Sequence, residues 1–341
     1  MKQLPLKLAG TISRRRLNTA FAAWPLASLS GLTHAATVAP PVSTPTALRI
    51  GFQKSAVNLV ILKQQGTLEQ RFPNSKVQWV EFPAGPQLLE ALAVGSLEFG
   101  MTGDSPPVFA QAAGKDLLYV GAEPAKPLSS AVLAPAGSPL NTLADLKGKR
   151  VALQKGSSAH YLVVRALEQA GLQWSDIEPA YLTPSEARAA FERGAVDAWG
   201  IWDPFYAAAE LAIKPKVLST GVGLSSNNSF YLASKPFVEQ HPRAVQALLE
   251  ALTAADAYVQ NQRQEAAQLI ADFSGLSLVT VHLFLSRRPV SPVAPLTAAI
   301  TADQQRVADA FLKLELIPRA IKVADIVWQA GRAPGASLAQ R

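Results

Sequence analysis

The chain has 341 residues, 49% apolar and 17% charged, a balance that supports a buried core in one or two domains and excludes a disordered chain. Its formal charge of +7 is concentrated at the start: Lys2, Lys7, Arg14, Arg15 and Arg16 come before residue 36 with no acid among them, which leaves +2 for the body and argues against a nucleic-acid partner. The absence of cysteine excludes disulfides, thiolate metal sites, a cysteine nucleophile and a lipoprotein anchor. With only four histidines, one of them His34 near the start, no metal or other cofactor is expected.

Residues 1–35 read as a signal peptide: a basic region closing on Ser13-Arg14-Arg15-Arg16-Leu17, a modestly apolar run from Thr19 to Leu32, then small residues around Thr33-His34-Ala35. The basic motif resembles a twin-arginine signal and also suits general secretion, and either route predicts a periplasmic protein. After a lead-in to Thr46, strands and helices alternate. Strands are expected at Ala47–Phe52, Lys76–Phe82, Leu97–Met101 and Leu117–Gly121, with helices at Asn58–Gln65, Pro86–Val94 and Pro106–Ala113 between them. Such alternation predicts an α/β fold with a mostly parallel sheet flanked by helices.

Ser129–Ala134 is one more apolar strand before the Pro135-Ala136-Gly137-Ser138-Pro139 punctuation. A second block then repeats the pattern, with strands at Arg150–Leu153, Ile177–Leu182, Val196–Trp202 and Lys216–Ser219. The apolar run Ser229–Ser234 is expected to pair with Ser129–Ala134. From Pro242 the chain is mostly helical. These features predict two lobes: residues 47–136 and 225–330 form the first, residues 137–224 are inserted as the second, two hinge strands join them, and residues 331–341 are a loose tail.

Two strand-to-helix turns stand out. Gln154-Lys155-Gly156-Ser157-Ser158-Ala159-His160 and Met101-Thr102-Gly103-Asp104-Ser105-Pro106 each put small polar residues and unpaired N–H groups at a helix start, a natural seat for an oxyanion. The competing role for Ser157, Ser158, Asp104 and Ser105 is ordinary helix capping, and capping and ligand contact are compatible. Gln53 lies beyond the first strand, and Gln87 near a third helix entry, either toward a cleft or toward solvent. In Ala198-Trp199-Gly200-Ile201-Trp202-Asp203-Pro204 the two tryptophans lie three apart on a strand, so they face opposite ways, one to the core and one to a cleft. Asp203 reads first as a helix cap whose carboxylate can also accept from a ligand donor. Neither a Gly-x-Ser-x-Gly elbow, nor His-Glu-x-x-His, nor a phosphate-binding Walker loop is present, which favours binding over catalysis.

Taken together, Leu48-Arg49-Ile50-Gly51-Phe52-Gln53-Lys54, the run from Trp79 to Gln87, Thr102-Gly103-Asp104, Gln154 to His160 and Ala198 to Pro204 resemble, in order and spacing, the aliphatic sulfonate-binding proteins of ABC importers. The likeness runs from about Leu48 to Trp328. It implies a two-lobed periplasmic binding protein of type II, monomeric, that captures alkanesulfonates and delivers them to an inner-membrane permease with its ATPase. It also implies that Gln53, Thr102, Gly103, Ser157, Ser158 and His160 hold the sulfonate, with Trp199 or Trp202 beside the alkyl chain. The turns themselves add Gln87, Asp104, Gly156 and Asp203 to the expected ligand-binding residues.

A sulfonate is a permanent anion with three oxygens, and neutral donors from two helix ends are expected to solvate it without a formal salt bridge. Alternative ligands on the same scaffold are taurine, nitrate or another small anion. A pyrimidine-precursor enzyme of this fold would rely on a cysteine- and histidine-rich site, which a chain without cysteine lacks.

Overall fold

The computed structural model describes residues 44–289 and 293–330; the expected signal peptide and the tail from Gly331 lie outside them. In chain order the first elements are β1 (Ala47–Phe52), α1 (Val57–Gln64), α2 (Thr67–Arg71), β2 (Lys76–Glu81), α3 (Gly85–Ala93), β3 (Phe99–Gly103), α4 (Ser105–Ala112) and β4 (Leu117–Glu123). Then come β5 (Ser130–Ala134), β6 (Arg150–Leu153), α5 (Ser158–Gln169), β7 (Glu178–Tyr181), α6 (Pro184–Glu192), β8 (Ala198–Trp202), α7 (Phe205–Ile213) and β9 (Lys216–Thr220). The chain returns as β10 (Ser229–Ser234) and ends in helices α8 (Lys235–Gln240), α9 (Pro242–Asn261), α10 (Arg263–Ser274), α11 (Leu278–Ser286) and α12 (Ala298–Lys313).

These strands make two five-stranded sheets of matching order, β2-β1-β3-β10-β4 and β7-β6-β8-β5-β9. In each, one strand runs against the other four: β10 is antiparallel to β3 and β4, and β5 to β8 and β9. The expected pairing of Ser229–Ser234 with Ser129–Ala134 is therefore wrong. Each apolar run is fully buried in the middle of its own sheet, where ladder bonds on both edges satisfy its backbone. The first crossing between sheets accordingly falls before Ser130, not after Ala136. What pairs between the two crossings is their connectors: Lys126 N–H donates to the Ser226 carbonyl at 2.8 Å, and Gly221 N–H to that of Pro127 at 2.9 Å.

Both faces of each sheet are covered, as parallel strands require. Under the first sheet, Leu48, Ile50 and Phe52 of β1 pack on Leu59 and Ile61 of α1 and on Leu248 and Leu252 of α9. Its other face joins Leu88 and Leu92 of α3, Val108 of α4 and Phe311 of α12. In the second sheet β5 alternates: Val132 and Ala134 face Leu162, Val163 and Leu167 of α5, while Ala131 and Leu133 face Phe191 of α6. No helix among the described residues is long and apolar enough to cross a membrane.

Candidate functional site: a crevice between two helix starts

The two turns singled out in the sequence abut. A Cβ built on Gly103 would lie 2.0 Å from Ser158 Oγ, so only a residue without one lets the first-lobe turn reach the second-lobe turn. No side chain caps α4 or α5: Ser157 Oγ donates to the Gln154 carbonyl at 2.7 Å instead, and Gly156 takes a left-handed φ of +73° to make that turn. The two helix starts thus keep first-turn donors available at the junction.

Beside this contact lies a crevice lined among others by Gln53, Gly103, Ser157, Ser158, Trp202 and Asp203. Six of the expected residues stand outside that lining. Trp199 is wholly buried against Phe191 in the second-lobe core, which leaves Trp202 as the tryptophan at the crevice. Thr102 is buried, with its Oγ1 donating to the Gly103 carbonyl at 3.0 Å. Asp104 is also buried, holding the Ser105 hydroxyl at 3.0 Å and bonding Ser158; burial raises its carboxyl and those bonds oppose the shift. Gln87 is half-buried and outside the lining, and Gly156 packs toward Phe109 and Pro86.

His160 is the sixth. Its Nδ1 accepts from Gly156 N–H at 3.1 Å, which puts the ring proton on Nε2, among the rings of Phe109, Trp174 and Phe311. Phe109 and Phe311 come from the first lobe and His160 and Trp174 from the second, so the ring packs between the lobes, outside the crevice lining. Burial, helped by the charge of Lys155, brings its pKa down to about 3, so it stays neutral. A histidine that protonates more readily unfolded than folded makes stability fall as pH drops below about 6.5, by about 1.4 kcal/mol per pH unit toward the folded value. Urea unfolding between pH 7 and pH 4 is expected to show this slope, and His160→Asn to flatten it.

Two cations complete the lining, Lys126 and Arg288. Both are buried around Glu123: Lys126 Nζ donates to Glu123 Oε2 at 2.9 Å and to Ser229 Oγ at 2.9 Å, while Arg288 Nη1 stands 3.3 Å from Glu123 and Nη2 3.7 Å from Asp256. Tyr231 donates to Glu123 at 2.7 Å, and Asn58 Nδ2 to the same carboxylate at 3.2 Å. Burial alone would raise Glu123, but Arg288, Lys126 and these bonds bring it down to about 2. Arg288 Nε is enclosed and has no partner. Two paired cations thus stand in the lining beside the neutral donors expected from the sequence.

The family described as NMT1/THI5 like matches residues 76–266. A relative from Escherichia coli, named an aliphatic sulfonates-binding protein, is 47% identical over 312 residues, which is 91% of this chain and 98% of that protein. The chain belongs to the aliphatic sulfonate-binding protein family. The crystal structure of the periplasmic aliphatic sulphonate binding protein of Escherichia coli is similar at 49% identity and TM-score 0.77, covering 84% of this chain and 98% of that one. The alkanesulfonate-binding protein of Xanthomonas axonopodis pv. citri, bound to MOPS, is similar at 48% identity and TM-score 0.82, covering 84% and 100%.

In this sulfonate-binding frame the residues that sequence reasoning passed over have a common signature. Lys126 and Arg288 each directly precede a proline at a segment junction, Ala125-Lys126-Pro127 and Arg287-Arg288-Pro289. A basic residue fixed by a following proline between two lobes is the signal that would have found them.

Proposed function

We propose that this chain is the periplasmic solute-binding component of an ABC importer, capturing aliphatic sulfonates in the crevice and passing them to a membrane permease with its ATPase. The observation that carries the reading is the pair of buried cations, Lys126 and Arg288, facing the uncapped starts of α4 and α5. A sulfonate offers one permanent charge and three oxygens. The cations, themselves paired with Glu123 and Asp256, offer charge-assisted donors, and Gln53, Ser157, Ser158 and the Gly103 amide supply neutral ones. Trp202, Met101 and Phe284 offer the apolar wall an alkyl chain needs. Export by a cleaved leader in residues 1–35, without lipid attachment, and a monomeric state complete the proposal.

Donors come from both lobes, so bound ligand favours the closed arrangement through contacts that one lobe alone cannot make. Isothermal calorimetry with butanesulfonate is expected to give a Kd of about 1 μM or tighter, with a smaller radius of gyration by small-angle scattering. Absence of binding, or binding without compaction, overturns the reading. Nitrate, with no chain to cover the apolar wall, is expected to bind more weakly.

A further inference from the structure

Asp203 is the only carboxylate among the described residues lining the crevice, and it is occupied. Its Oδ1 accepts from Ala207 N–H at 3.0 Å and from Arg287 Nη1 at 3.1 Å, and its Oδ2 lies 3.4 Å from the same nitrogen. Arg287 follows α11 in the first lobe and reaches across to the second. There its Nη2 pairs with Glu210 of α7, and its guanidinium lies 4.0 Å from the ring centroid of Tyr206. Both sides of this pair are nearly sealed, with Asp203 1% and Arg287 11% exposed.

We propose that Arg287 is a specificity-determining residue: by holding Asp203 it removes the one crevice acceptor able to neutralise a ligand ammonium, and so selects alkanesulfonates over aminoalkanesulfonates such as taurine. The proposal rests on the sulfonate reading above. An ammonium brought into this crevice meets Lys126 and Arg288, both positive, and finds its natural partner taken. An alkyl end of the same length carries no such cost. Arg287 reaches the ligand only through Asp203, so its influence appears as a ratio of affinities, not as an affinity.

Removing the guanidinium leaves Asp203 facing Glu210 and the Ala207 amide with no close cation on its own lobe. Burial raises the Asp203 carboxyl to about 7 even with Arg287 beside it, and without the guanidinium it rises further, so the variant holds a proton that an arriving ammonium displaces. Taurine binding to Arg287→Met is therefore expected to release a proton that propanesulfonate binding does not, which buffer-dependent calorimetric enthalpies detect.

The test is calorimetry of 1-propanesulfonate and taurine, which share a headgroup and differ by methyl against ammonium, on the intact protein, Arg287→Met, Asp203→Asn and the double variant. The intact protein is expected to prefer propanesulfonate. Arg287→Met should shift the affinity ratio toward taurine by about tenfold or more, with proton release, and the added Asp203→Asn should cancel both. An unchanged ratio in Arg287→Met overturns the proposal, as does equal affinity of the intact protein for both ligands. Should Arg287→Met not fold, Asp203→Asn alone decides. A masked carboxylate predicts that both ligands weaken by the same factor, and selective loss of taurine overturns the masking. If the intact protein binds neither sulfonate, it is the sulfonate reading that fails.

Discussion

Arg288→Met is expected to weaken butanesulfonate binding by about a hundredfold or more and to lower stability at pH 7 by about 3–5 kcal/mol. The binding loss follows from removing one of two cations at a nearly dry site. The stability loss follows from stranding Glu123 and Asp256, which Arg288 now holds at 3.3 and 3.7 Å. The two effects separate by pH. In the intact protein Glu123 is held near 2 against an ordinary 4.5, so its contribution is complete above about 4.5 and lost as pH falls toward 2. In Arg288→Met the first of the groups that lower Glu123 is gone, and its carboxyl moves up from that position. That variant therefore loses less stability on acidification than the intact protein does. Urea titrations at pH 7 and pH 4, with calorimetry at pH 7, measure both. Unaltered binding and a parallel pH response would remove Arg288 from the site.

The second large effect is expected at Gly103. Valine there puts branched carbon where Ser158 Oγ stands, 2.0 Å from the nearest Cβ position, with Ser158 Cβ at 3.3 Å. The next nearest atom is the Asn228 carbonyl at an ordinary 3.9 Å, so the close contact is with the second lobe. Overpacking costs about 1–3 kcal/mol where side chains can yield. Here it falls on closure, and the Ser158 bond to Asp104 is lost with it. Gly103→Val is expected to weaken sulfonate binding by about a hundredfold while leaving the ligand-free unfolding midpoint within error. Small-angle scattering should show no compaction at saturating ligand. A variant that closes and binds as before would mean that the two turns do not meet in the bound state.

The fold was legible wherever a segment's apolar pattern served its own sheet. Ala47–Phe52, Arg150–Leu153 and Ser229–Ser234 run between the bounds that pattern alone predicts, because Gly, Pro or polar residues punctuate them. The short helices α2 and α8 were not expected, for neither is long enough to show a stripe: α2 buries only Leu68, and α8 buries Phe237 and Val238. The partner of β10 was misjudged for a different reason. Apolar content says that a strand is buried, not which neighbours bury it, and two equally apolar strands invite the wrong match. At the site, the small residues at helix starts were readable because their chemistry is local. Lys126, Arg288 and Glu123 were not, since a buried cation is defined by a carboxylate 3 residues away in one case and 165 in the other, meeting only in the folded chain. Trp199 and Trp202 were correctly placed on opposite faces, but which one met the core depended on where α6 would lie.

The position of β10 has a consequence for how this molecule is made. β5 to β9 are continuous in the chain, and their sheet has all its strands once residue 220 has emerged. The other sheet has a gap between β3 and β4 that only residues 229–234 can fill, more than a hundred positions after β4. The early strands must therefore wait with two open edges, and contacts of such long sequence separation form late. Anion-gripping geometry exists only after both halves are whole, so a nascent chain cannot hold cargo before the last lobe is stitched together.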